Sequence, residues 1–171
     1  RSAPKGRDPY PHILEKAFAP LRCAPTDFIP MPRADFYLID KPRFRAQPLL
    51  LVCELVKKAY AAGLPTLVLA RDQTQAEALD DLLWSFDPDE YLPHQIAGQD
   101  EDEDEAPILI TTPDADVPAR PLLINLRDAA PAGQFDRVLE VVPADPAARG
   151  PLRERWKHYQ SLGFTLKKFD M

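Results

Sequence analysis

PTLVLA, residues 65–70, is apolar at almost every position and no longer than a strand. Such a run offers water no polar face. It belongs in a sheet covered on both sides, the setting of parallel strands in α/β proteins. ADFYLI (34–39) reads as a first strand, and PILITT (107–112), PLLINL (121–126) and RVLEVVP (137–143) read as further strands. Between them the period changes. QPLLLVCELVKKAYAAG (47–63) sets Leu49, Val52, Cys53, Val56 and Tyr60 at three- and four-residue spacing, a helical stripe with Gly63 as its stop. QTQAEALDDLLWS (73–85) does the same with Ala76, Leu79, Leu82 and Leu83, starting at Asp72 or Gln73. Residues 87–106 read as loop, PAARGPLRERWKHYQSLG (146–163) as a last helix starting near Pro151, and FTLKKF (164–169) as a short extended tail. Alternating strands and helices predict a single Rossmann-like, three-layer α/β domain with a mainly parallel sheet and helices on both faces. The Pro/Asp-rich connection between 107–112 and 121–126 is too short for a helix, so part of the sheet is expected to be antiparallel, making it mixed.

The patterned domain spans 31–171. Residues 1–30 are proline-rich and weakly patterned, and Met31 stands just before the first strand-like run. They are expected to be an extension that is foreign to the domain. The net charge is −6, from 21 basic and 27 acidic residues. Six of the acids form DEDEDE at 100–105, and without them the balance is 21 against 21. A neutral body does not support general nucleic-acid binding. The acidic run lacks the ligand spacing and glycine of a calcium loop and reads as a solvated loop. Cys23 and Cys53 form neither a disulfide framework nor a metal-ligand spacing, and Cys53 reads as a small buried hydrophobe. No secretory signal or membrane-length apolar run is visible, so a cytoplasmic protein that does not enter a membrane is expected.

No nucleotide-binding motif accompanies the Rossmann-like outline. The first strand runs into IDKPRFRAQ, with neither GxGxxG nor GxxxxGK[ST], and the chain has six glycines. No cofactor and no metal are expected. Of His12, His94 and His158, only His94 in LPHQIAG lies in a loop that could line a cleft. It is either the general base of a small α/β enzyme or a histidine bracing its loop. No Ser or Cys has the surroundings of an activated nucleophile. WSFDPDEYLPH brings Trp84, Phe86 and Tyr91 to a helix end and the following loop, either as a cap on the core or as a hydrophobic partner patch.

The charge is concentrated in RERWKHYQSLGF, Arg153–Phe164. From Arg149 to Lys168 there are six Lys/Arg and one Glu, a formal +5. At 100° per residue, Leu152, Trp156 and Tyr159 share one side of the helix, with Leu162 nearby. Arg153, Lys157 and Gln160 form the next stripe, Trp156 borders both, and Arg155 and His158 project elsewhere. Like charges at 153 and 157 cost the helix a few tenths of a kcal/mol. They make sense if an anion arrives: a phosphate backbone, or an acidic peptide with a terminal carboxylate that Arg clamps with two hydrogen bonds. An ordinary solvated face is the other reading.

From Asp35 onward the sequence resembles the chi subunit of the bacterial DNA polymerase III holoenzyme. The resemblance rests on DFYLID, VCEL, ALDDLLW, LPHQIAG, LLINLR, VLEVVP and RERWKHYQSLGF, in order and at compatible spacing. It implies a non-enzymatic clamp-loader accessory protein, Rossmann-like without a nucleotide site, in contact with DNA only indirectly. Its implied ligand is the acidic C-terminal tail of single-stranded DNA-binding protein, which ends in phenylalanine. By position, Arg153 and Lys157 would meet the tail's carboxylates, and Trp156, commonly tyrosine in relatives, would wall the phenylalanine pocket. Arg149 and Val142 match further positions of that site, and Gln160 replaces a basic residue. The resemblance also implies a second surface for the psi subunit or an accessory helicase, centred on Tyr91 with Trp84 and Leu92. The alternatives are the small α/β enzyme at His94 and direct single-strand binding by the basic helix.

Overall fold

The computed structural model describes residues 31–99 and 105–171. Residues 1–30, including His12 and Cys23, and positions 100–104 of the acidic run lie outside the described residues. Among the described residues, seven strands form one sheet: β1 (Arg33–Leu38), β2 (Thr66–Leu69), β3 (His94–Ile96), β4 (Ile108–Thr111), β5 (Leu122–Asn125), β6 (Arg137–Val142) and β7 (Thr165–Asp170). Their spatial order is β3-β4-β2-β5-β6-β1-β7. The helices are α1 (Pro42–Ala46), α2 (Leu49–Ala61), α3 (Gln73–Phe86) and α4 (Arg149–Ser161), the last entered through a 3-10 turn at Pro146–Ala148. No helix among the described residues is long and apolar enough to cross a membrane.

Strand pairing among the described residues is parallel throughout, which corrects the expectation of a mixed sheet. β4 and β5 are not neighbours, because β2 lies between them. The connecting residues return along a short strand and step two strands sideways, about 13 Å and about 10 Å. Extended chain covers that without a helix. On its way the loop lays Val117 against the sheet.

Alternation along each strand sorts the core into two layers. Val68, Ile110, Ile124, Leu139 and Val141 face α2 and α3, whose Val52, Cys53, Val56, Ala76, Leu79 and Leu83 are buried there as expected. Tyr60 is the exception on the α2 stripe and is exposed. Phe36, Leu67, Leu69, Leu123, Val138 and Val142 face the other way, toward α4 and the loops beside it. Asp72 caps α3 by accepting from the Gln75 backbone N–H at 2.7 Å.

Two segments read as irregular are strands. His94–Ile96 extends the sheet at one edge, and the supposed C-terminal tail is edge strand β7, parallel to β1. A helix stop makes β7 possible. Gly163 adopts φ +79° just past α4, Phe164 N–H donates to the Tyr159 carbonyl at 3.1 Å, and Gly163 N–H donates to that of Gln160. The Phe164 and Tyr159 rings stack across this cap, 5.1 Å apart. The chain therefore leaves α4 reversed and aimed along β1.

Candidate binding surfaces

RVLEVVP contains one acid, Glu140, and alternation decides where it goes. Glu140 shares the parity of Val138 and Val142, so it points under α4, where it is wholly buried. A buried carboxylate is tolerated only when paired and hydrogen-bonded. Arg155 supplies the charge, its Nε 3.0 Å from Glu140. Tyr159 donates its hydroxyl at 2.5 Å and Asn125 its amide at 3.0 Å. Arg155 also donates to the Asp128 carbonyl at 2.6 Å. Burial pushes the Glu140 carboxyl above its ordinary value, with Arg155, Tyr159 and Asn125 pulling the other way. Burial and the Glu140 carboxylate together push the Tyr159 hydroxyl up. Arg155 thus does not project away from the core: the demand of Glu140 draws it inward. Leu162, placed near the core stripe, is instead exposed beyond the helix end.

These anchors fix what α4 presents on its flank. Leu152, Arg153, Trp156 and Lys157 line a pocket of about 320 Å³ together with Phe36 and Leu38 of β1 and Lys168 of β7. That is the small end of the range for ligand pockets. Phe36 and Trp156 make an aromatic floor, their centroids 4.9 Å apart. Above it stand three exposed cations. Arg153 and Lys157 have no acidic partner among the described residues, and Lys168 lies 3.9 Å from Asp170. An apolar slot rimmed by cations fits an apolar group carried on an anion.

Among the expected site residues, Arg153, Trp156 and Lys157 are brought together here. Val142 is buried in the same apolar layer, beside Leu38 in the register, but does not line the pocket. Arg149 and Gln160 are exposed on α4 and do not line it either. Phe36, Leu38 and Lys168 escaped the sequence reading, although Lys168 was counted in the local charge. Their signal was available: Leu166 and Lys168 share a parity, and pairing FTLKKF with the first strand sets Lys168 beside Phe36.

At the opposite edge, Trp84 and Tyr91 are 57% and 65% exposed, with ring centroids 5.7 Å apart. Trp84 also lies against the His94 ring at 4.9 Å. Leu92 is buried and serves as a base for this patch, not as part of its surface. Phe86 packs against the core, as a cap would. Lys57 and Asp87 pair at the foot of the same loop. The His94 side chain is fully buried, with Nδ1 2.6 Å from the Leu92 carbonyl and Nε2 3.0 Å from the Asp80 carboxylate. This geometry is that of a histidine bracing its loop. Cys53 is buried, and burial pushes its thiol up to about 12, far from thiolate chemistry. No cluster of three or more potential metal ligands exists among the described residues.

The family described as DNA polymerase III chi subunit, HolC, matches residues 31–167. The DNA polymerase III subunit chi of Pseudomonas aeruginosa is 35% identical over 141 residues, 80% of this chain and 95% of that protein. The protein of the same description from Escherichia coli is 32% identical over 142 residues, 80% of this chain and 96% of its own. Among solved structures, the C-terminal domain of the DEAD-box protein Dbp5 superposes with a TM-score of 0.55 at 13% identity, covering 84% of this chain and 92% of that domain. Saccharomyces cerevisiae Dbp5 bound to RNA and ADP BeF3 gives 0.59 at 12% identity, covering 83% of this chain and 42% of that longer one. At such identities the likeness is one of fold alone.

Proposed function

This chain belongs to the DNA polymerase III chi subunit family, and on that premise we propose that it is a replisome adaptor with two separate docking surfaces. Its homologues are non-catalytic accessory subunits of the polymerase. In this reading the α4 pocket takes the acidic C-terminal tail of single-stranded DNA-binding protein. The terminal phenylalanine lies on the floor formed by Phe36 and Trp156, and Arg153 and Lys157 meet the tail's carboxylates. The Trp84–Tyr91 patch takes the psi subunit or an accessory helicase.

One observation carries the first half: a helix bears two cations one turn apart over an aromatic slot, with no acidic partner among the described residues. Two unpaired like charges are a cost to an isolated helix, and an arriving anion offsets it. The second half rests on two large rings left exposed side by side, while the other aromatics among the described residues are mostly packed.

Titration of a labelled acidic peptide ending in phenylalanine tests the first surface. Arg153→Ala and Lys157→Ala should each weaken binding, and amidation of the peptide's C-terminus should weaken it for the wild type. Unchanged affinity in both variants sinks the assignment. An oligonucleotide binding as tightly as the peptide would favour direct single-strand binding. For the second surface, Tyr91→Ala should spare the peptide and reduce capture of psi or the helicase.

A further inference from the structure

The cations above the aromatic slot do not come from one helix. Arg153 and Lys157 lie on α4, and Lys168 reaches the same pocket from β7, across the floor formed by Phe36. Leu166, Lys168 and Asp170 alternate on the α4 side of β7, so Asp170 stands next to Lys168 along the strand. Its carboxylate lies 3.9 Å from the Lys168 amine. Both side chains are exposed. Such a pair is weak and exchanges readily for a better-placed anion. A ligand with one carboxylate would be served by the two cations of α4. A third cation on the opposite wall fits a ligand with acids spaced along its chain.

We infer that Lys168 is a specificity-determining residue of the α4 pocket, taking a side-chain carboxylate of an acidic peptide whose apolar end occupies the slot, with Asp170 as the internal competitor for that position. This rests on the reading of the pocket as an acidic-tail site. Two substitutions then act in opposite directions at neighbouring positions. Lys168→Gln removes the attraction. Asp170→Asn removes both the competitor and a like charge facing the incoming acids.

The test is fluorescence anisotropy with a labelled acidic peptide ending in phenylalanine, at fixed low salt, against the wild type, Lys168→Gln, Asp170→Asn and Arg153→Ala. An exposed charge pair corresponds to about two- to five-fold in affinity. Lys168→Gln should weaken binding by about that factor, and Asp170→Asn should tighten it. With a peptide whose acidic side chains are replaced by amides but whose terminal carboxylate is kept, the effect of Lys168→Gln should vanish. If Arg153→Ala weakens binding while Lys168→Gln leaves it unchanged, the role of Lys168 is overturned and the pocket assignment stands. If neither variant matters, the pocket assignment itself falls. A Lys168→Gln effect that persists undiminished with the amide-substituted peptide also overturns the inference.

Discussion

Glu140→Gln keeps the volume of a side chain wholly buried under α4 and deletes its charge. The consequence falls on Arg155, which is 4% exposed and has Glu140 as its only acidic partner among the described residues. Its remaining partner, the Asp128 carbonyl, does not balance a guanidinium charge. Breaking one side of a buried pair costs about 3–5 kcal/mol, because the surviving charge is stranded out of water. For a domain of this size that is a fall in Tm of about 6–20 °C. Urea unfolding followed by tryptophan fluorescence and far-UV circular dichroism measures it. Arg155→Met in the Glu140→Gln background removes the stranded charge, so the double variant should be more stable than the sum of the single losses allows. The reasoning is refuted if Glu140→Gln costs less than about 1 kcal/mol, or if the two losses simply add. The site should register the change too. Arg155 and Tyr159 anchor one side of α4, and Arg153 and Lys157 lie about 160° round the helix from them. Loosening the anchors lets that flank roll, so peptide affinity of the folded fraction should fall in Glu140→Gln.

Other outcomes follow from the packing of the domain. Cys53, with its thiol pushed to about 12, should resist alkylation at pH 8 in the native protein and react on unfolding, as read by peptide-resolved mass spectrometry. Gly163→Ala puts a side chain at φ +79°, where space exists but the backbone is strained, and should cost about 1–2 kcal/mol in urea unfolding. Leu79→Ala, at a fully buried position between α3 and the sheet, should cost about 3–5 kcal/mol.

The periodic elements were legible because one physical rule governs them. The stripes Val52-Cys53-Val56 and Ala76-Leu79-Leu83 are buried where three- and four-residue spacing placed them, and the apolar runs became interior strands. What escaped was decided by pairing, which no local window contains. FTLKKF has two adjacent lysines and reads as a tail, yet the Gly163 cap turns it onto β1 and makes it an edge strand. The supposed antiparallel pair vanished because β2 inserts between β4 and β5. Arg155 was misplaced for a related reason. A helical wheel ranks arginine as solvent-facing, but the carboxylate that buries it lies on β6 and is invisible from within α4. At the site, local spacing was enough for Arg153, Trp156 and Lys157, which share one helix. It was not enough for Phe36, Leu38 and Lys168, which arrive from two strands.

The ends of the strands explain how a fold shared with DEAD-box C-terminal domains comes to present its open chemistry elsewhere. In open parallel sheets, ligands settle beyond the carboxyl ends of strands, where free backbone N–H groups receive them. Here the chain leaves β1 through Asp40 and Lys41, whose N–H groups donate to the Met171 carbonyl at 2.5 and 2.7 Å. Beyond β2 and β4, Arg127 donates to the carbonyls of Ala70 and Thr111 at 2.8 and 3.3 Å. The donors that would greet an anion at these ends are engaged by the chain's own carbonyls. The unpaired cations stand instead on the flank of α4, while the exposed Trp84–Tyr91 rings stand beside β3. Those positions are five to six strand spacings apart, about 25–29 Å. A parallel sheet packed on both faces deforms little over that span. In the proposed two-surface reading, both edges can be held at once, with neither partner drawing on the other's residues.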